Sequence, residues 1–200
     1  ITYMEIKSLS HTSPDELFEA FEQAFADYEV QLNKAEHLTM LKRRGFNPKA
    51  SFGAFDRDKL VSFTCNGIGN FYGVRAAYDT GTGTLKDYQG RGLATQVFEY
   101  SIPYLRELGI EEYLLEVLQH NTGALSVYRK LGFEITREFY YFKQKNEQVD
   151  RAVKALDCCY TLKSIKISEY SSIHKFWDFE PSWQNSFEAI NNTLKDFICL

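Results

Sequence analysis

Asp87-Tyr88-Gln89-Gly90-Arg91-Gly92-Leu93-Ala94 is the stretch on which the fold of this 200-residue chain turns. It joins two patterns of different period. Residues 75–85, before it, read as extended and are rich in Thr and small side chains. After it, Leu93, Val97, Tyr100, Tyr104, Leu105 and Leu108 fall on one face of a long helix that stops at Gly109. Pro103 inside that helix forfeits the amide bond to Glu99 and predicts a kink. The first N–H groups of a helix have no internal partner and together carry roughly half a positive charge. With no side chains at Gly90 and Gly92, a diphosphate is able to approach those amides. Arg91 adds a cation nearby. Alone, Gln-x-x-Gly-x-Ala is a weak pattern, since glycines ahead of a helix also serve as a plain tight turn.

Downstream, Glu112 to Leu118 reads as a strand. Asn121 caps a helix that runs through Leu131 to a terminating Gly132, and Phe133 to Phe142 reads as another strand. Asn121, Ala124 and Tyr128 are spaced by three and four and share one helix face. A phenol on that face can reach the mouth between two parallel strands. An ordinary half-buried aromatic is the other reading of Tyr128.

Upstream, residues 3–9 alternate like a strand, and Ser13-Pro14-Asp15-Glu16 spells a capping box. Leu17, Phe18, Phe21, Ala24, Phe25 and Tyr28 follow at helical spacing. A second helix is predicted from Asn33 to Arg44, ending at Gly45. Strands over 50–56 and 60–66 flank the turn Asp56-Arg57-Asp58-Lys59, and Asn66 to Asn70 reads as a loop. This order calls for a mixed α/β sheet whose parallel part holds residues 75–117.

A hydrophobic fraction of 44% and an aromatic fraction of 16% supply a packed core, which excludes disordered and fibrous classes. A net charge of -4 argues against coating nucleic acid or an acidic membrane through bulk charge. No run approaches the ~18 apolar residues that span a bilayer. Cys65, Cys158, Cys159 and Cys199 lack metal-ligand spacing. Reduced thiols in a cytoplasmic protein, with no metal, are the expectation.

Together these pieces resemble the GCN5-related N-acetyltransferase (GNAT) superfamily over residues 3–142. The family's acyl-CoA pyrophosphate loop, Gln/Arg-x-x-Gly-x-Gly/Ala, is matched by Gln89, Gly92 and Ala94, with Gly90, Arg91 and Leu93 between them. Thr82-Gly83-Thr84-Leu85 lies where members pair strand backbone with the pantetheine arm. Asn121, Ala124 and Tyr128 match Asn-x-x-Ala-x-x-x-Tyr, which implies a CoA contact and a general acid. Leu131-Gly132-Phe133 matches the usual helix exit, while Lys86 stands where many members carry Pro. The resemblance implies an α/β (α+β) fold: a mixed, mostly antiparallel central sheet with a parallel splayed pair, flanked by helices.

The activity it implies is N-acetyl transfer from acetyl-CoA to a primary amine by direct attack. A backbone N–H at the splay would polarise the thioester, and Tyr128 would protonate the leaving thiolate. Asp79, then Glu116, are the nearest carboxylates to act as base. Either could instead face solvent or make a structural hydrogen bond, and water can serve. Phe18, Phe21, Phe25, Asp27, Tyr28 and Glu29 lie in the segment that usually walls the family's acceptor pocket. The expected partner is a small-molecule or peptide amine, without nucleic acid or membrane, and a homodimer stays open. A non-catalytic acyl-CoA-binding module is the alternative from a different class.

Three other motifs lose on their own terms. Asp79-Thr80-Gly81 spells the aspartic protease triplet, but no second copy occurs and that chemistry needs two carboxylates. The glycines at 67, 69 and 73 miss the dinucleotide spacing. Cys65 has no evident His partner. At the domain level, residues 1–145 are expected to form the acyltransferase domain and 146–200 a linker and C-terminal segment, with a polar boundary over 145–155, strands over 160–167 and 197–200, and a helix from Ser182 to Leu194. Trp177 to Ser186 is similar to the opening of a second, truncated GNAT-like domain in two-domain bacterial members. An arm docked on another copy is the competing reading.

Overall fold

In the computed structural model, which describes residues 4–28, 31–140, 142, 169 and 174–196, five strands form one sheet in chain order. β1 (Met4–Ser8), β2 (Phe52–Asp56), β3 (Lys59–Phe71) and β4 (Val74–Thr84) pair antiparallel with their neighbours. β5 (Glu112–Leu114) returns parallel to β4 through Ala76–Tyr78, after α3 (Leu93–Glu107) has made the crossover. The mixed sheet and its single parallel pair agree with the expectation.

The helices start where their caps dictate. For α1 (Pro14–Ala24), Ser13 Oγ accepts from the Glu16 amide at 3.2 Å and the Glu16 carboxylate accepts from the Ser13 amide at 2.8 Å. Asn33 and Glu36 repeat the device at α2 (Lys34–Arg43). α1 buries Leu17, Ala20 and Phe21 against Phe63 and its neighbours in the main core. Gly83 makes that approach possible, because a Cβ there would stand 2.8 Å from the Phe63 ring and 2.9 Å from Ala24 Cβ. α3 continues through Pro103 and buries Leu93, Val97, Phe98 and Leu105. α4 (Thr122–Lys130) follows β5, with Asn121 Oδ1 accepting from the Ala124 amide at 3.1 Å.

Four local expectations need correction. Asn66 to Asn70 is not a loop but the interior of β3, which turns only at Tyr72 (φ 54°) and Gly73 (φ 84°). Two successive positive φ values give a hairpin turn whose twist suits the flanking strands. β5 ends at Leu114 instead of 118, and the described residues from Phe133 to Phe142 contain no strand, for an extended segment needs a neighbour to pair with. The helix expected over 182–194 is broken. A 3-10 turn at Trp183–Asn185 precedes α5 (Phe187–Asn192), because Ser186 caps anew by accepting from the Ala189 amide. The boundary expected at 145–155 and the strands at 160–167 and 197–200 lie outside the described residues.

The C-terminal arm, Pro181 to Thr193, packs on the sheet of its own chain. Trp183 stacks on Tyr78 with ring centroids 5.2 Å apart and planes 5° apart, and lies 5.6 Å from Phe71. Its indole N–H donates to the Arg44 carbonyl at 3.0 Å, and Glu188 accepts from the Asn70 amide at 2.9 Å. The side chains of Ala76 and Tyr78 join this cluster, while Ala77 between them packs with Leu105 of α3.

Candidate active site

The ladder between β3 and β4 is interrupted once. Asn66 pairs with Asp79 and Cys65 with Gly81, so Thr80 is the extra residue of a bulge. On its other side β4 loses β5 after Tyr78 and Leu114. Among the described residues no strand covers that edge of β4 from Asp79 to Thr84, so the parallel pairing ends there.

Asp79 and Tyr128 meet at this parting. Tyr128, on α4, donates its hydroxyl to Asp79 Oδ2 at 2.8 Å. The Thr82 hydroxyl donates to the same oxygen at 2.8 Å, and the Gly81 amide to Oδ1 at 2.9 Å. Asp79 is buried, 7% exposed, and burial raises its pKa although all three hydrogen bonds and Arg44 pull the other way. Burial, then the neighbouring Asp79 charge, raises Tyr128 well above the ordinary phenol range. Tyr128 therefore stays protonated at neutral pH.

The glycine loop stands at the C-terminal end of β4. Gly90 and Gly92 both have φ of 73°, the left-handed region, and Gly92 is the N-cap of α3 with no side-chain cap bond. A Cβ at Gly90 would meet nothing within 4 Å, and one at Gly92 only the Gln96 amide at 3.7 Å. Backbone is thus exposed where the helix dipole is positive. Ala94 is half-buried in the first turn, whereas Leu93 is buried in the core. Gln89 turns back to donate to the Thr84 carbonyl at 3.1 Å, and Arg91 donates to the Asp87 carbonyl at 2.6 Å while its guanidinium lies over the Tyr88 ring. Thr82, Gly83 and Thr84 supply the strand edge itself. Leu85 is a core residue whose amide donates to Val61.

The acceptor segment divides. Phe21 belongs to the core, against Phe25, His37 and Phe63. Phe18 also packs on His37, Phe25 meets Tyr28 edge-on, Asp27 pairs with Lys86 at 3.2 Å, and Glu29 lies outside the described residues.

Sequence reasoning missed Arg44, Trp183 and Gln184. Arg44 Nη1 donates to the Thr80 carbonyl at 2.8 Å and Nη2 to Gln184 Oε1 at 2.8 Å. Gln184 Nε2 donates to Glu116 Oε2 at 2.9 Å. Glu116 is exposed overall, yet burial of its carboxyl raises its pKa against the pull of Arg44 and Gln184. These contacts join residues far apart in the chain, and no local pattern announces them.

Open amides at a helix start, a parallel strand pair that ends early and a phenol beside that end make up the site. Residues 14–133 match the Acetyltransferase (GNAT) family, and the chain belongs to it. It is 32% identical over 95 residues to N-alpha-acetyltransferase MAK3 of Arabidopsis thaliana, an alignment covering 48% of this chain and 50% of that one. The chain spans about half the length of the curated relatives it matches first. Its fold matches an aminoglycoside acetyltransferase, meta-AAC0020, from an uncultured soil metagenomic sample (TM-score 0.57, 20% identity, 72% of this chain and 97% of that one). It also matches a chain of the NatC complex bound to Gag peptide and CoA (TM-score 0.56, 19% identity, 67% and 86%).

Proposed function

We propose that the chain transfers an acetyl group from acetyl-CoA to a primary amine by direct attack. The observation that carries this reading is the Tyr128–Asp79 pair set at the parting of β4 and β5, one helix away from the open amides of α3. The amides from Gly90 to Ala94 hold the diphosphate, and the free edge over Thr82–Thr84 pairs with the pantetheine amides, with Asn121 and Ala124 alongside; Leu85, its amide and carbonyl both bonded within the chain, anchors the end of that edge. Membership of the family and the CoA-bound neighbour support this assignment.

At the parting, the amine nitrogen bonds to the thioester carbon, the carbon–sulfur bond breaks, and Tyr128 protonates the departing thiolate. Ordinary phenol and thiol pKa values lie within ~1.5 units; burial and the Asp79 charge lift Tyr128 above that match, so the transfer eases when Asp79 is protonated and its charge is gone. The raised pKa of Asp79 gives that carboxyl a second role. When it carries a proton, it hydrogen-bonds to the phenol oxygen and releases the phenol's own hydrogen toward sulfur. Asp79 on this reading orients and recharges Tyr128 instead of deprotonating the amine, which leaves Glu116 or water for that step. The acceptor is a small molecule or a peptide amine, as the relatives' names include both kinds of transferase.

Replacing Tyr128 with Phe tests the reading. Turnover with acetyl-CoA and an amine panel should fall roughly 100-fold or more, while CoA affinity by calorimetry stays at the wild-type value. Unchanged turnover would remove the general acid; absence of CoA binding by the wild type would remove the whole assignment.

A further inference from the structure

The parting of β4 and β5 has two faces. Asp79 and Tyr128 meet on one. Tyr78 and Glu116 project to the other, where the arm lies. Gln184 there bridges a cation and an anion: Arg44 donates to its oxygen and its nitrogen donates to Glu116. A guanidinium only donates and a carboxylate only accepts, so the amide fits one way round. The Trp183 main chain adds a second hydrogen-bonding contact to Glu116. Arg44 ties the same relay to the bulge through the Thr80 carbonyl. The arm, which lies beyond the family match, thus contacts the end of the β4–β5 pairing.

We propose that residues 181–186 form the acceptor-side wall of the reaction site, and that Gln184 is a positioning residue holding the Glu116 carboxylate to receive the ammonium group of the amine. The proposal rests on the acetyl-transfer reading above. An alkyl amine is protonated at neutral pH, with a pKa near 10. A carboxylate fixed at the mouth attracts that cation and disfavours neutral competitors. The substrate class is therefore a primary amine that arrives charged, approaching opposite Tyr128 and leaving the CoA path clear.

The test is steady-state kinetics of Gln184→Ala on the full chain, with acetyl-CoA and three acceptors: a linear diamine, an aminoglycoside and a peptide with a free α-amino group. For whichever acceptor the wild type uses, KM for the amine should rise about tenfold, the factor that 1.4 kcal/mol of lost binding gives. KM for acetyl-CoA should hold, and the melting temperature should move by no more than a few degrees. Glu116→Gln should raise the amine KM in the same way, and the double variant should be no worse than Glu116→Gln alone, because the two act through one contact. If Gln184→Ala melts early, Gln184→Asn, one carbon too short for the bridge, replaces it. An unchanged amine KM, an equal loss on the acetyl-CoA side, or additive effects would overturn the proposal while leaving acetyl transfer standing. A wild type that acetylates none of the three acceptors would overturn both.

Discussion

At the scale of single residues, Gly92 and Tyr128 do different work and fail in different ways. Gly92 holds φ at 73° directly before α3, where an L side chain costs about 1–2 kcal/mol. Gly92→Ala should therefore weaken CoA binding, measured by calorimetry, more than it lowers turnover at saturating acetyl-CoA; Gly92→Asn should be milder, since Asn tolerates that region. Tyr128→Phe should do the reverse. The loop glycines and the Asn121–Tyr128 spacing were legible from sequence because each depends on chemistry within a few residues. Arg44 and Gln184 were not, for their bond spans 140 positions. Phe21 shows what periodicity reads well: its helical spacing announced a buried face, and it is 9% exposed in the core.

Among the elements, α2 carries an unusual group on its buried side. His37 is 1% exposed, packs on Phe18 and Phe21, and has both ring nitrogens without hydrogen-bond partners among the described residues. Burial, and then the charge of Arg44, lower its pKa to about 4. In the unfolded chain a histidine titrates near 6.5, so between those values the unfolded state binds more protons. Stability should fall as pH drops from about 6.5 toward 4, by about 3 kcal/mol in all. Urea unfolding at stepped pH should show that slope, and His37→Phe should flatten it. At α1, Ser13→Ala should cost about 1 kcal/mol in the same measurement, because it removes one side of the capping box. That box was readable from four residues. The extent of β3 was not, since Asn66 to Asn70 has the composition of a turn and becomes strand only because β4 pairs with it.

For the whole molecule, the sheet and the arm form one packed body around Trp183. That residue is 6% exposed and joins Phe71, Ala76 and Tyr78. Trp183→Ala should cost about 3–5 kcal/mol, read by chemical denaturation, and should expose enough apolar surface to bind a hydrophobic dye. The same arm fixes the order in which the site can be completed. Segments near in sequence fold early, whereas contacts between distant segments wait on loop closure. Arg44 meets Gln184 across most of the chain. On the ribosome, the glycine loop and α4 leave the exit before the arm does, so the relay from Arg44 through Gln184 to Glu116 is the last part of this region to close.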